Sequence, residues 1–178
     1  MPSELLSRLR SAFSDKRMYV MYGQTEAAAR LTYLPPEVLD LKSGSVGRAI
    51  PGVSIKVVTE EGGIARAGEV GEVYATGENI MQGYWQDPQS TAKFLEGGWL
   101  RTGDMGRLDE EGYLTLIGRN SEMIKSGAYR ISPTEIEEVL LQHPGVQEAG
   151  VVGLENPILG VVICPVVTPN QGQLPPDQ

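Results

Sequence analysis

GRNSEMIKSGAYRISPTEIEE, Gly118 to Glu138, is the stretch on which the reading of this chain turns. A strand ends at Arg119, and EMIKSG predicts another that closes on a glycine turn. Ser132, Pro133, Thr134 and Glu135 then match a capping box with proline at the first helical position. Ile136, Val139 and Leu140 recur at helical spacing behind it. The change of pattern across Arg119–Ser121 predicts a domain boundary.

On the N-terminal side of that boundary the signals are strands and turns. Val53, Ile55 and Val57 alternate, EEGG turns the chain, and GEVYAT reads as the next strand. DPQSTAKFL predicts a short helix capped by Asp87, with Pro88 first. LRTGDMGRLD and YLTLIGR, joined by the turn DEEG, predict a hairpin. Residues 44–119 therefore read as a small distorted β-barrel. Before them, Pro2 to Phe13 reads as an amphipathic helix with Leu5, Leu6, Leu9 and Phe13 on one side. Met18–Tyr22 is a compact apolar run, the pattern of a strand inside a parallel sheet with both faces covered. Nothing before it in the sequence supplies such a sheet, so the strand is expected to lack neighbours and to leave an apolar edge, a site for partner docking or aggregation. Ala27 to Ser43, with YLPPE, reads as a surface connection. Residues 1–43 thus read as the end of an α/β subdomain. Beyond the boundary, VQEAGVVG and LGVVICPVV predict two strands, and the polar tail TPNQGQLPPDQ predicts disorder. The fold class expected is α+β, with 120–178 an incomplete α+β domain.

Composition narrows the function classes. The chain has 178 residues, with 22 glycines and 12 prolines, which favours short strands and turns over a helix bundle. Its 15 basic and 23 acidic residues give a net charge of −8. An acidic surface argues against nucleic acid or an anionic membrane as the main partner. Any phosphate bound here needs local donors or a metal. Cys164 is the single cysteine, so no internal disulfide forms, and its surroundings predict a buried strand. His143 is the single histidine and lies just after a helix, where a helix-end polar role is expected. No apolar run approaches the roughly 20 residues that span a bilayer. MPSELLSRLR lacks the apolar centre of a signal peptide, so a cytoplasmic location is expected.

Three segments carry possible chemistry. In YGQTE an apolar strand runs into Tyr22, Gly23, Thr25 and Glu26. Groups at the C-terminal end of a strand face the crevice where open α/β sheets bind ligands. Tyr22 offers a flat face to a base, Gly23 admits close approach, Thr25 can donate to a phosphate, and Glu26 suits Mg²⁺, which prefers oxygen ligands. A strand-end turn with a solvated glutamate explains the same residues. In WLRTGD, Asp104 can accept both hydroxyls of a ribose; a turn aspartate beside Gly103 is the other reading. In GRNSEMIKSG, Arg119 presents a planar fork of donors that can reach ribose or phosphate. Lys125 and Gly127 follow on the next strand and loop. A surface ion pair and a solvated strand face are the alternatives there.

Together, YGQTE, GEVYATGENIMQGYW, WLRTGDMG and IKSGAYRISPTEIEEVL resemble the adenylate-forming superfamily: acyl-CoA synthetases, luciferase-like enzymes and peptide-synthetase adenylation domains. The resemblance implies activation of a carboxylic acid, fatty or aryl, by ATP and Mg²⁺ to an acyl-adenylate. Transfer to coenzyme A or a carrier-protein phosphopantetheine follows. It implies adenine stacking for Tyr22, phosphate contact for Thr25 and Mg²⁺ for Glu26. Asp104 and Arg119 would hold the ribose, and the region of Gly23 would border the acid. Ser121, where many relatives carry Asp or Lys, would be the hinge. The Lys125–Tyr129 loop, Gly127 included, would face the incoming thiol.

Two parts of that pattern are not found. No Ser/Thr/Gly-rich phosphate loop ending in lysine precedes YGQTE, and the last lysine is Lys125, so the family's late catalytic lysine is absent. The expectation is a fragment that is inactive alone and is completed by a separate N-terminal half. The alternative is a non-catalytic remnant serving as a nucleotide-binding or interaction module.

Overall fold

The computed structural model describes residues 3–28, 30–127, 129–158 and 160–170. The expected tail disorder at 171–178, the helix start at Pro2, the side chain of Leu5 and Ala128 of the thiol-facing loop lie outside the described residues. The chain divides into two compact units, Met1–Leu116 and Ile117–Gln178.

The first unit opens with helix α1 (Ser3–Ala12), strand β1 (Val20–Tyr22), a 3-10 turn at Thr25–Ala27 and β2 (Thr32–Leu34). A second 3-10 turn (Pro36–Val38) leads to β3 (Arg48–Ala49), β4 (Val53–Val58) and β5 (Gly71–Gly77). Helix α2 (Pro88–Phe94), β6 (Leu95–Glu96) and β7 (Trp99–Leu108) follow, and β8 (Leu114–Arg119) runs across the boundary into the second unit. One sheet has the order β1-β2-β3; the other has β4-β5-β7-β6, with β8 also paired to β7. These strands curl into the half-barrel that the alternating sequence predicts.

Alternation sets the faces. On β5, Gly71, Val73 and Ala75 point inward, while Glu72, Tyr74 and Thr76 are half-buried on the other side. Val73 packs with Val57 and Leu114 in one core cluster; Ala75 packs with Ala27, Leu31 and Leu100 in a second, and Tyr22 touches both. The two sheets are joined at the segment Ser45–Gly47. Val46 N donates to Leu114 O at 2.8 Å, Ser45 Oγ to the same carbonyl at 2.7 Å, and Leu114 N to Gly47 O at 2.9 Å. A Cβ on Gly47 would stand 1.9 Å from Tyr33 O, and φ there is 95°, so only glycine permits this contact.

Met18–Tyr22 leaves an apolar sheet edge as expected, with Met21 47% exposed, but β1 is three residues long and pairs antiparallel with β2 rather than standing in a parallel sheet. Other expectations are corrected. Ala27–Ser43 is not a surface connection throughout, because Leu31 is fully buried and so are Thr32 and Leu34 of β2. Its sparse alternation, three residues before two prolines, conceals a strand. The helix cap of Asp87 forms as predicted, with Oδ1 accepting from Ser90 N at 2.9 Å. On α1, Leu6 and Leu9 are half-buried but Phe13 is exposed.

The second unit holds a short hairpin of β9 (Ile124–Ser126) and β10 (Tyr129–Ile131), helix α3 (Pro133–Leu140), and a long hairpin of β11 (Val146–Asn156) and β12 (Gly160–Pro169). Ile124 and Val151 form its buried apolar contacts, and a Cβ on Gly153 would meet Ile124 at 3.0 Å. Glu137 Oε1 accepts from Val151 N at 2.9 Å, tying α3 to β11. The predicted capping box does not form. Ser132 occupies the cap position, but its hydroxyl, 1% exposed, donates to Ile117 O at 2.7 Å instead. The hydroxyl hydrogen goes to the β8 carbonyl, and its oxygen accepts nothing from the first turn of α3. Val139 is 66% exposed, so only Ile136 and Leu140 turn inward. Cys164 is half-buried rather than buried, because the face of the hairpin that carries it has Val152, Leu154 and Val166 exposed. His143 stands after α3 as expected and accepts from Gly145 N at 3.1 Å.

Two substitutions test this packing by urea denaturation. Leu100→Ala empties a fully buried site and should cost about 2–5 kcal/mol. Ser132→Ala should cost about 1–3 kcal/mol, while Glu135→Ala stays within about 0.5 kcal/mol. Equal losses for Ser132→Ala and Glu135→Ala would restore the capping box.

Candidate functional site

Asp104 owes its position to an irregularity in the sheet. Along β5 and β7 the register runs Gly71↔Gly106 and Glu72↔Met105, then resumes at Tyr74↔Arg101 and Ala75↔Leu100. Val73 therefore faces three residues, Thr102, Gly103 and Asp104. Such a bulge bends a strand and re-aims its side chains. Gly103 takes φ 74° inside it, a left-handed value that suits glycine. Thr102 stitches the bulge: its Oγ1 donates to Val73 O at 2.8 Å and accepts from Asp104 N at 3.1 Å. Asp104 ends up 7% exposed, and Tyr22 Oη donates to its Oδ2 at 2.5 Å. Two residues 82 positions apart in sequence are brought into contact.

The turn after β1 holds Thr25 and Glu26. Thr25 is exposed and Glu26 half-buried, both in the 3-10 turn that ends at buried Ala27. Ala28 then adopts φ 41°, rare for a residue with a side chain. Asn79 braces the turn, since its Nδ2 donates to Ala27 O at 3.0 Å and Arg30 O at 2.8 Å. Met81 N donates to Glu26 O at 2.8 Å, and Tyr84 Oη donates to Glu26 Oε1 at 2.8 Å. Gly23 is exposed between β1 and this turn.

Within the first unit, then, Tyr22, Gly23, Thr25 and Glu26 share one strand end and turn, with Tyr22 touching Asp104. Asn79, Tyr84 and Thr102 were not singled out from the sequence. Asn79 and Tyr84 both lie in GENIMQGYW, and an amide and an aromatic hydroxyl in so glycine-punctuated a run were the available signal. For Thr102 the signal was its neighbour Gly103, since a glycine inside a strand pattern marks a bulge.

The remaining candidates belong to the second unit. Arg119 is exposed at the end of β8, and its carbonyl accepts from Glu122 N at 3.0 Å. Ser121 is exposed in the loop that follows. Lys125 is exposed on β9 opposite Arg130, whose Nη1 donates to Asn120 Oδ1 at 2.9 Å. Gly127 takes φ 61° at the hairpin turn, with open space where a Cβ would stand.

Among the described residues no three His, Cys, Asp or Glu side chains cluster as a metal cage, and no helix is long and apolar enough to cross a membrane. A cleft of about 420 Å³ lies beside α1, lined by Arg10, Phe13, Met18 and Leu39 among others, and no candidate residue lines it.

The family model described as AMP-binding enzyme matches residues 1–85, and that described as AMP-binding enzyme C-terminal domain matches 135–178. An indoleacetate–CoA ligase of Aromatoleum aromaticum is 42% identical over 153 residues, 86% of this chain and 30% of the relative. A structure of o-succinylbenzoate CoA synthetase from Bacillus subtilis with its acyl-adenylate intermediate superposes with TM-score 0.88 at 35% identity, covering 97% of this chain and 35% of that one. The same enzyme with ATP and a magnesium ion superposes with TM-score 0.85 at 36% identity, covering 94% and 34%. The chain thus spans about a third of the length of the proteins it matches.

Burial first, and then the Glu26 carboxylate that accepts its hydrogen bond, holds the Tyr84 phenol above its ordinary value. A phenol raised in the folded state contributes stability that is complete below the unfolded value and lost as pH rises through the folded one. The melting midpoint should therefore fall more steeply past about pH 10 in the native chain than in Tyr84→Phe. Equal slopes in the two proteins would contradict the hydrogen bond.

Proposed function

Because the chain belongs to the adenylate-forming superfamily of AMP-binding enzymes, we propose that it forms part of an ATP-dependent carboxylic acid–thiol ligase. The observation that carries this reading is the hydrogen bond from Tyr22 to Asp104 across the bulge of β7. It holds a carboxylate in a fixed, largely dry setting beside an aromatic ring. A carboxylate so placed accepts both hydroxyls of a ribose, while the ring offers its face to the attached base. Hydrogen bonds to a charged acceptor contribute roughly 1.5–3 kcal/mol each.

The other roles follow from chemistry and place. Thr25, exposed on the turn, would donate to a phosphate oxygen, and Gly23 would border the acid. Glu26 is a lone carboxylate in its turn. That fits magnesium, which takes one or two carboxylates and completes its shell with phosphate oxygens and water. The nucleotide supplies the adenylyl group, and the metal offsets its phosphate charge. Arg119 would add donors to the ribose or phosphate, Ser121 would be the hinge, and Lys125 and Gly127 would face the thiol of coenzyme A or a phosphopantetheine. Residues 1–43 would belong to a larger nucleotide-binding subdomain, 44–119 to a barrel and 120–178 to a hinge-linked domain. The acid would be aryl or fatty.

Calorimetry with AMP tests the reading. Asp104→Ala should weaken binding by roughly 10–100-fold, from the loss of charged hydrogen bonds, while Glu110→Ala leaves it unchanged. No binding by the native chain would leave only an interaction module. The 178 residues as purified should show no carboxylate-dependent pyrophosphate exchange, since neither the phosphate loop nor the late lysine lies in the sequence. Exchange at a robust rate would refute the need for a complementing N-terminal half.

A further inference from the structure

Glu26 does not stand by itself. Tyr84 Oη donates to Glu26 Oε1 at 2.8 Å, and that tyrosine is fixed from three sides. Its backbone N donates to Thr91 Oγ1 at 2.9 Å, and Thr91 Oγ1 donates in turn to Asp87 O at 2.8 Å. Its ring meets Phe94 edge-to-face, with centroids 6.1 Å apart. A Cβ at Gly83 would stand 2.9 Å from Thr91 Cγ2, so the loop before Tyr84 lies flat on α2. The helix is itself started by Asp87, which caps Ser90 N. Met81 N, on the same loop, donates to Glu26 O at 2.8 Å. One loop therefore grips Glu26 twice, by its backbone through Met81 and by its carboxylate through Tyr84.

A glutamate has three side-chain torsions, and holding them costs entropy that a partner must offset. The phenol does this by occupying one side of Oε1. It also draws no charge away, being a neutral donor.

We propose that Tyr84 is a positioning residue: its hydroxyl, seated on α2, orients the Glu26 carboxylate towards the magnesium of a metal–nucleotide complex. The inference rests on the ligase reading for the role of Glu26, and adds a residue outside YGQTE to the metal-binding apparatus. Tyr84 touches neither metal nor nucleotide in this scheme and acts through Glu26 alone.

The test measures ATP affinity by equilibrium dialysis with magnesium and with EDTA, in the native chain, Tyr84→Phe, Glu26→Gln and the double variant. The Phe variant keeps the ring and its packing on Phe94 and removes only the donor. Its magnesium-dependent gain in ATP affinity should fall by about tenfold, the scale of one charge-assisted hydrogen bond. Its affinity in EDTA and its melting midpoint near neutral pH should stay close to native. The double variant should lose no more of the magnesium gain than Glu26→Gln does, because both changes act on one carboxylate. A Tyr84→Phe chain that keeps the full magnesium gain while Glu26→Gln loses it would overturn this inference and leave the ligase reading standing. Losses in EDTA as large as those in magnesium would reduce Tyr84 to a structural support. Absence of any magnesium gain in the native chain would overturn both the inference and the metal role of Glu26.

Discussion

The first unit depends on what one hydroxyl does at a fault in a sheet. Thr102 lies where β7 carries two more residues than β5, and its Oγ1 donates to the Val73 carbonyl while accepting from the Asp104 amide. Without that bridge the bulge would leave a buried carbonyl and a buried amide short of partners, each a cost of about 1–3 kcal/mol. With it, the strand tolerates the extra residues and turns Asp104 inward. Tyr22 then closes the arrangement from the edge sheet, and the same ring packs against both core clusters. Packing and polar geometry are thus joined in a single side chain.

A similar substitution of partners organises the second unit. Ser132 gives its hydroxyl to the Ile117 carbonyl, not to the start of α3. Ser132 itself is buried, while Thr134 and Glu135 of the first helical turn are exposed to water. Proline at the first helical position lessens the loss, since it has no amide hydrogen to satisfy. Electrostatics plays a local part in the first unit. Lys42 reaches Asp109 at 2.7 Å and Glu111 at 2.8 Å, so a segment before the barrel is tied to the turn between β7 and β8. The Asp109 and Glu111 hydrogen bonds raise the Lys42 ammonium above its ordinary value. In a chain of net charge −8, one lysine serving two carboxylates offsets local repulsion.

The legible parts were those with local causes. Alternation in GEVYAT and the Val53–Val57 run located β5 and β4, Asp87 and Pro88 located α2, and the DEEG turn located the hairpin of β7 and β8. YGQTE was legible as a cluster because its residues are neighbours in sequence. Misreadings arose where a remote contact overrode a local preference. Ala27–Ser43 looks like a surface connection, yet β2 within it pairs with both β1 and β3. Ser132 looks like a cap, yet a carbonyl 15 residues away claims it. Tyr84 and Asn79 stood in a glycine-punctuated run, but nothing in it names their partners, Glu26 and Ala27, which are more than 50 residues distant.

By itself the sequence determined the α+β class and the order of most elements, because those depend on residue type, spacing and periodicity, and its motifs carried the resemblance that names the family and proposes a short list of residues to meet a nucleotide. Only the tertiary structure decided how that list is held: the bulge that turns Asp104 inward, the phenol that reaches it, the loop that grips Glu26 and the hydroxyl that leaves its helix for a strand. Each of these is a hydrogen bond between residues far apart in the chain. Its formation is set by which polar groups the fold deprives of water, and that is known only once the strands have paired.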